Sequence, residues 1–107
     1  MTESPTTSEL LRFSGTVQGV GFRPTVTRIA RSLALRGWVR NDGEGVLVAL
    51  HGSPVARERF LEDLLSNLPP LARVQQVKRE PAPDLEPPDD FQIHPSTHGP
   101  ARTGVAP

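Results

Sequence analysis

The 107-residue sequence contains no cysteine and no tyrosine, and Lys78 is its single lysine. Without cysteine there is no disulfide framework, no thiolate nucleophile and no cysteine-held zinc, which fits a reducing compartment. No apolar run approaches the roughly 18 residues of a membrane span. Residues 1–9 (MTESPTTSE) lack the basic and apolar regions of a signal peptide, so a cytoplasmic protein is expected. Net charge is absent as well, with twelve basic residues against twelve acidic ones. A chain this short buries about 65% of its unfolded surface, enough for one core of two layers.

The zero net charge hides an uneven distribution. Residues 10–80 hold eleven basic groups, ten of them arginine, against six acids, a body of charge +5. The ends, residues 1–9 and 81–107, sum to −2 and −3. A basic body suits an anionic ligand, although basic surfaces are often merely solvated.

Residues 10–17 (LLRFSGTV) alternate as a half-buried strand, with Leu11, Phe13 and Val17 on one side. From Pro24 to Leu35, Val26, Ile29, Ala30, Leu33 and Ala34 recur at helical spacing, and Pro24 suits a first helical position. Residues 36–41 and 46–51 read as strands of a hairpin joined through Asp-Gly-Glu-Gly. Ser53-Pro54 opens a second helix, with Ala56, Phe60, Leu61, Leu64, Leu65 and Leu68 as its stripe and Pro69-Pro70 as its stop. Residues 72–80 are a weaker strand whose broken alternation marks a bulge or an edge. After the acidic, proline-rich residues 81–90, Phe91 and Ile93 form a short closing strand. The predicted fold is α+β: a ferredoxin-like βαββαβ sandwich, an antiparallel (mixed) sheet with two helices on one face and a short fifth strand. The expected organisation is a disordered segment over residues 1–9, a domain over 10–96 and a flexible tail over 97–107.

Chemistry concentrates between the first strand and the first helix, in Gln18-Gly19-Val20-Gly21-Phe22-Arg23. The stretch lacks the Gly-Lys-Ser/Thr of a nucleotide P-loop, and Pro24 breaks the dinucleotide fingerprint. What remains is a glycine loop whose N–H groups converge at a helix N-terminus, a geometry that binds phosphate. Arg23 precedes a proline and is biased toward the cap, from which its guanidinium can bond an anion bidentately. On chemistry alone the competing reading is a glycine turn beside a surface arginine.

The loop V-Q-G-V-G-F-R, taken with G-W-V-R-N-D-G-E-G from Gly37 to Gly45, resembles the acylphosphatase signature over roughly residues 10–95. Arg-Pro after the loop and F-x-I-x-x-S at Phe91–Ser96 are similar to the acylphosphatase-like branch found at the N-terminus of HypF carbamoyltransferases of hydrogenase maturation. The resemblance implies hydrolysis of acyl phosphates, carbamoyl phosphate among them. It makes residues 18–23 the phosphate loop, Arg23 the phosphate-binding arginine and Asn41 the residue that orients the attacking water. It implies no metal and no cofactor, inorganic phosphate as product, and downstream carbamoyltransferase domains absent from this chain as partners. Thr25 and Thr27 depart from that branch, where aromatic residues are common, and bear on packing.

An acyl phosphate carries a carboxylate-like leaving group that needs no strong acid, so two side chains and a row of amides suffice for its hydrolysis. A non-catalytic module that captures carbamoyl phosphate for downstream domains would share the same motif. An RNA-binding domain of this topology is disfavoured, because the strands lack the aromatic pattern that stacks bases, so no nucleic-acid partner is expected. His51, His94 and His98 lack ligand spacing, Trp38 and Phe22 read as anchors, and Arg28, Arg31 and Arg36 read as a solvated face.

Overall fold

The computed structural model describes residues 6–96. Seven elements follow in order: β1 (Thr7–Thr16), α1 (Phe22–Ser32), β2 (Arg36–Asp42), β3 (Gly45–Gly52), α2 (Pro54–Ser66), β4 (Arg73–Pro81) and β5 (Phe91–Ile93). The strands form one sheet in the order β4-β1-β3-β2-β5, antiparallel except for the parallel pair β2 and β5. Period-two alternation in β1 turns Leu11 and Phe13 inward, and the register sets them beside Val48 and Val46 of β3. Val26 and Ile29 of α1 and Phe60 and Leu64 of α2 close over that face. All four phenylalanines are buried in this core, where each side chain contributes about 1.5–3 kcal/mol. The result is the expected ferredoxin-like sandwich, and among the described residues no helix is long and apolar enough to cross a membrane.

The weak pattern over residues 72–80 has both of its expected causes. β4 is an edge strand, and its pairing with β1 slips by one residue between Ser14 and Gly15.

Four expectations need correction. Residues 7–9 belong to β1 rather than to a disordered segment, and Ser8 and Glu9 are buried. Three polar residues resemble a tail in sequence, but each finds a partner: Ser8 bonds His51 Nδ1 at 2.8 Å, Thr7 accepts from Arg57, and Glu9 is held by Arg57 and Arg79. Second, α1 starts at Phe22, with Gly21 as its cap, so Arg23 and Pro24 lie inside the first turn. Burial of Phe22 edge-on against Phe13, at 5.3 Å, outweighs the bias that Pro24 imposes on Arg23. Third, α1 stops at Ser32, where Ala34 takes φ 56° and the N–H groups of Ala34 and Leu35 bond back to Arg31 and Ala30. Fourth, Arg31 and Arg36 are not idle surface charges, since they donate to the carbonyls of Phe91 and Pro88 and hold the closing segment. The expectations for residues 1–5 and 97–107 lie outside the described residues.

Candidate active site

β1 and β2 are both antiparallel to β3 and so run the same way. The loop after β1 and the turn after β2 therefore emerge at one end of the sheet, where α1 also begins.

The loop is pegged by its apolar side chains. Val17 and Phe22 are buried and Val20 packs against the core, which leaves Gly19 and Gly21 exposed between them. Gly19 and Gly21 have φ of 75° and 82°, whereas Val20 does not have positive φ. This alternation of hand along successive residues is the backbone pattern of an anion-binding nest. Gly21 caps α1 without a side-chain bond, and the first turn of the helix carries no acid. Its positive end therefore meets no carboxylate from the helix's own first turn.

Arg23 is half-buried on this first turn, and among the described residues no carboxylate or carbonyl accepts a hydrogen bond from its guanidinium. Asn41 occupies the next-to-last position of β2, opposite Val46, on the face that the helices cover. Its Oδ1 is buried and has no hydrogen-bond partner among the described residues. The two side chains singled out in sequence thus reach the same end of the molecule with unused hydrogen-bonding capacity. Thr25 and Thr27 turn their hydroxyls back to the carbonyls of Gly21 and Arg23.

The Gln18 side chain has a role that the motif did not disclose. Its Nε2 donates to the carbonyls of Asp42 at 2.8 Å and Gly45 at 2.9 Å. Asp42 is in turn a hub, accepting from Arg12 and from the Glu44 N–H. Burial raises the Asp42 carboxyl, but those bonds and the charges of Arg12 and Arg40 outweigh it and hold the group below its ordinary value. A depression of about 450 Å³ lies between loop and turn, lined by residues 15–18 and 43–45. Neither Arg23 nor Asn41 lines it.

The remaining sequence candidates sit elsewhere. His51 pairs with Ser8 near the start of β1, with burial first and then the charges of Arg36 and Arg57 lowering its pKa. No carboxylate bonds this pair among the described residues, so it lacks the third member of a triad. Trp38 is covered by His94 on a stacked ring at 5.4 Å and by the Arg40 guanidinium at 4.8 Å. His98 lies outside the described residues. A groove of about 420 Å³ opens between Leu10, Arg12, Leu47, Lys78, Arg79 and Glu80. It has no turn or helix N-terminus to present converging amides, and the chemistry favours the loop.

Fold and loop together define an α+β sandwich with a glycine-rich strand-to-helix loop whose backbone has the pattern of a nest. Residues 10–93 match the acylphosphatase family model, and the chain belongs to that family. Acylphosphatase 2 of Ralstonia nicotianae is 36% identical over 94 residues, which cover 87% of this chain and 98% of that protein. Carbamoyltransferase HypF2 of Cupriavidus necator is 45% identical over 96 residues, 90% of this chain but only 12% of that protein. The crystal structure of full-length HypF in its phosphate- and nucleotide-bound form superposes with a TM-score of 0.85 at 28% identity, covering 92% of this chain and 13% of that one. The chain thus spans about an eighth of the length of the carbamoyltransferases it matches and nearly the whole of the acylphosphatase.

Proposed function

We propose that the chain hydrolyses the carboxyl-phosphate bond of acyl phosphates, with carbamoyl phosphate as the substrate in the setting of a hydrogenase-maturation carbamoyltransferase. The observation that carries this reading is the pairing, at one end of the sheet, of an uncommitted guanidinium at a bare helix N-terminus with the buried, unsatisfied Oδ1 of Asn41. The amides of residues 18–23 and Arg23 bind the phosphoryl oxygens. The Asn41 Oδ1 accepts a hydrogen bond from water and holds it on the far side of phosphorus from the leaving group. A bond forms from the water oxygen to phosphorus as the phosphorus–oxygen bond to the acyl group breaks, and the acyl carboxylate or carbamate leaves with the bonding pair. An amide is no base, so the water proton passes to a phosphoryl oxygen, and orthophosphate is the product. The protein's contribution is electrostatic, about 3 kcal/mol for a single well-placed donor. In this reading no step requires a metal ion or a cofactor.

Phosphate release from acetyl phosphate and carbamoyl phosphate by the wild type and Arg23→Ala, with and without chelator, tests the proposal. Turnover that is unaffected by chelator and lost in the variant is expected, and full activity in Arg23→Ala would sink the assignment. The small share of HypF that the chain covers favours one alternative: a module that binds the phosphate for downstream carbamoyl-transfer domains and turns over little alone. Saturable phosphate binding without turnover in the same assay would identify it.

A further inference from the structure

We infer that the Gln18 side chain is a positioning residue that sets the loop in register with Asn41, coupling phosphoryl binding to water orientation; this rests on the function proposed above. The two halves of the site sit on separate elements. The phosphoryl cradle belongs to the loop and α1, and the water holder to β2. The β1–β3–β2 ladder fixes Asn41 but does not extend to the residues after Thr16, of which Gln18 and Gly19 are exposed. The Gln18 Nε2 donates both of its N–H groups across the gap, to the carbonyls of Asp42 and Gly45. These carbonyls close the turn, and one of them belongs to the residue that follows Asn41.

The turn end of the clamp is anchored independently. Asp42 is braced by Arg12 and by the Glu44 N–H. Gly45 passes so close to β1 that a Cβ there would lie 2.2 Å from the Phe13 carbonyl oxygen. The loop end is pinned to the core on either side, by Val17 and Phe22. Gln18 is thus a fixed strut between two held parts, and a primary amide is the neutral group able to donate twice to two carbonyls. Removing it leaves the loop amides and Arg23 competent to hold phosphate but frees the exposed residues 18 and 19, between the Val17 and Val20 anchors, to shift relative to Asn41. A misplacement of about 1 Å costs on the order of a hundredfold in rate.

Gln18→Met keeps the length of the side chain and removes its donors, and Gln18→Ala serves as a second variant. Both are compared with the wild-type 107-residue chain for kcat on acetyl phosphate and for inhibition by inorganic phosphate. The expected result is a loss of kcat of about tenfold or more, with the phosphate inhibition constant held within about twofold. Unchanged kcat, or kcat and phosphate affinity falling together, overturns the inference. A second readout separates it from the proposed activity: titration of inorganic phosphate followed by amide NMR. In the wild type, phosphate should shift the Asn41 side-chain amide and the Gly43–Gly45 backbone signals, and in Gln18→Met those shifts should vanish while the loop signals still move. Should the wild type prove inert, the proposed function falls and this titration decides the clamp alone, with equal shifts in both proteins counting against it.

Discussion

Seven of the ten arginines between residues 6 and 96 hydrogen-bond to an acid or a carbonyl: Arg12, Arg31, Arg36, Arg57, Arg59, Arg73 and Arg79. Most of the positive charge counted in the body is therefore structural, and Arg23 is left free beside the loop. Replacing it by alanine should lower kcat/KM by about a hundredfold or more, measured as phosphate release. Asn41→Ala should lower kcat while leaving phosphate affinity within a few-fold, because in the proposed mechanism its oxygen addresses water and not the anion. The loop backbone makes its own demand at Gly21. A Cβ there meets nothing within 4 Å, so a Gly21→Ala change acts only through φ 82° and should cost about 1–2 kcal/mol in urea unfolding. Arg23 and Asn41 were legible because a motif names them. The Gln18 clamp was not, since the letter Q in a loop does not say whether its amide faces a ligand or a neighbouring turn.

The helix ends show where elements obey local rules and where they do not. Ser53 caps α2 as its sequence foretells, with its hydroxyl accepting from the Ala56 N–H at 3.1 Å and Pro54 in the first turn. Ser53→Ala should therefore cost about 1 kcal/mol. The C-terminus of α1 breaks the rule that glycine or asparagine fills the left-handed position, because Ala34 stands there at φ 56°. Ala34→Gly should stabilise the protein by about 0.5–1 kcal/mol, read as a raised urea midpoint, since relief of strain exceeds the added chain entropy. The same turn explains why helical spacing overshot α1 by three residues. Leu33 and Leu35 are apolar because they pack onto the core, and periodicity does not distinguish the last turn of a helix from the hook that follows it.

The whole molecule carries a pH dependence that follows from its buried polar contacts. Burial raises the Glu9 carboxyl, but bonds from Arg79 and Arg57 more than offset this and leave it below the ordinary value, as at Asp42. For both acids the unfolded chain binds protons first as pH falls. Their contribution is full above the ordinary carboxylate range and is lost as pH drops through it and below. The His51 pKa also lies below its ordinary 6.5, so the unfolded chain takes up a proton that the fold resists. Stability measured by urea unfolding should therefore begin to fall as pH drops below about 6.5 and fall more steeply below about 4. His51→Gln should remove the upper limb and leave the lower one. Glu9→Gln should weaken the lower limb and cost roughly 2 kcal/mol at neutral pH, because it strips charge from a carboxylate that two arginines face.

By itself the sequence determined the order of elements, most of their inward residues and the two motifs of the candidate site, although Ala34 and Leu65, assigned to the helical stripes, are exposed. These follow from local physics: a period of 2 or 3.6, a proline that ends a helix, a glycine that permits positive φ. Tertiary structure alone decided how the charges pair, that Thr7–Glu9 continue β1, and that Gln18 reaches the turn after Asn41. Apart from the Arg59–Asp63 pair on α2, each of these joins residues more than 20 positions apart or depends on such a pairing. A polar side chain in sequence carries no mark of the partner it will meet. Only the sheet order β4-β1-β3-β2-β5 supplies those partners, and among the described residues it leaves Arg23, beside the loop, without a hydrogen-bonded acid or carbonyl.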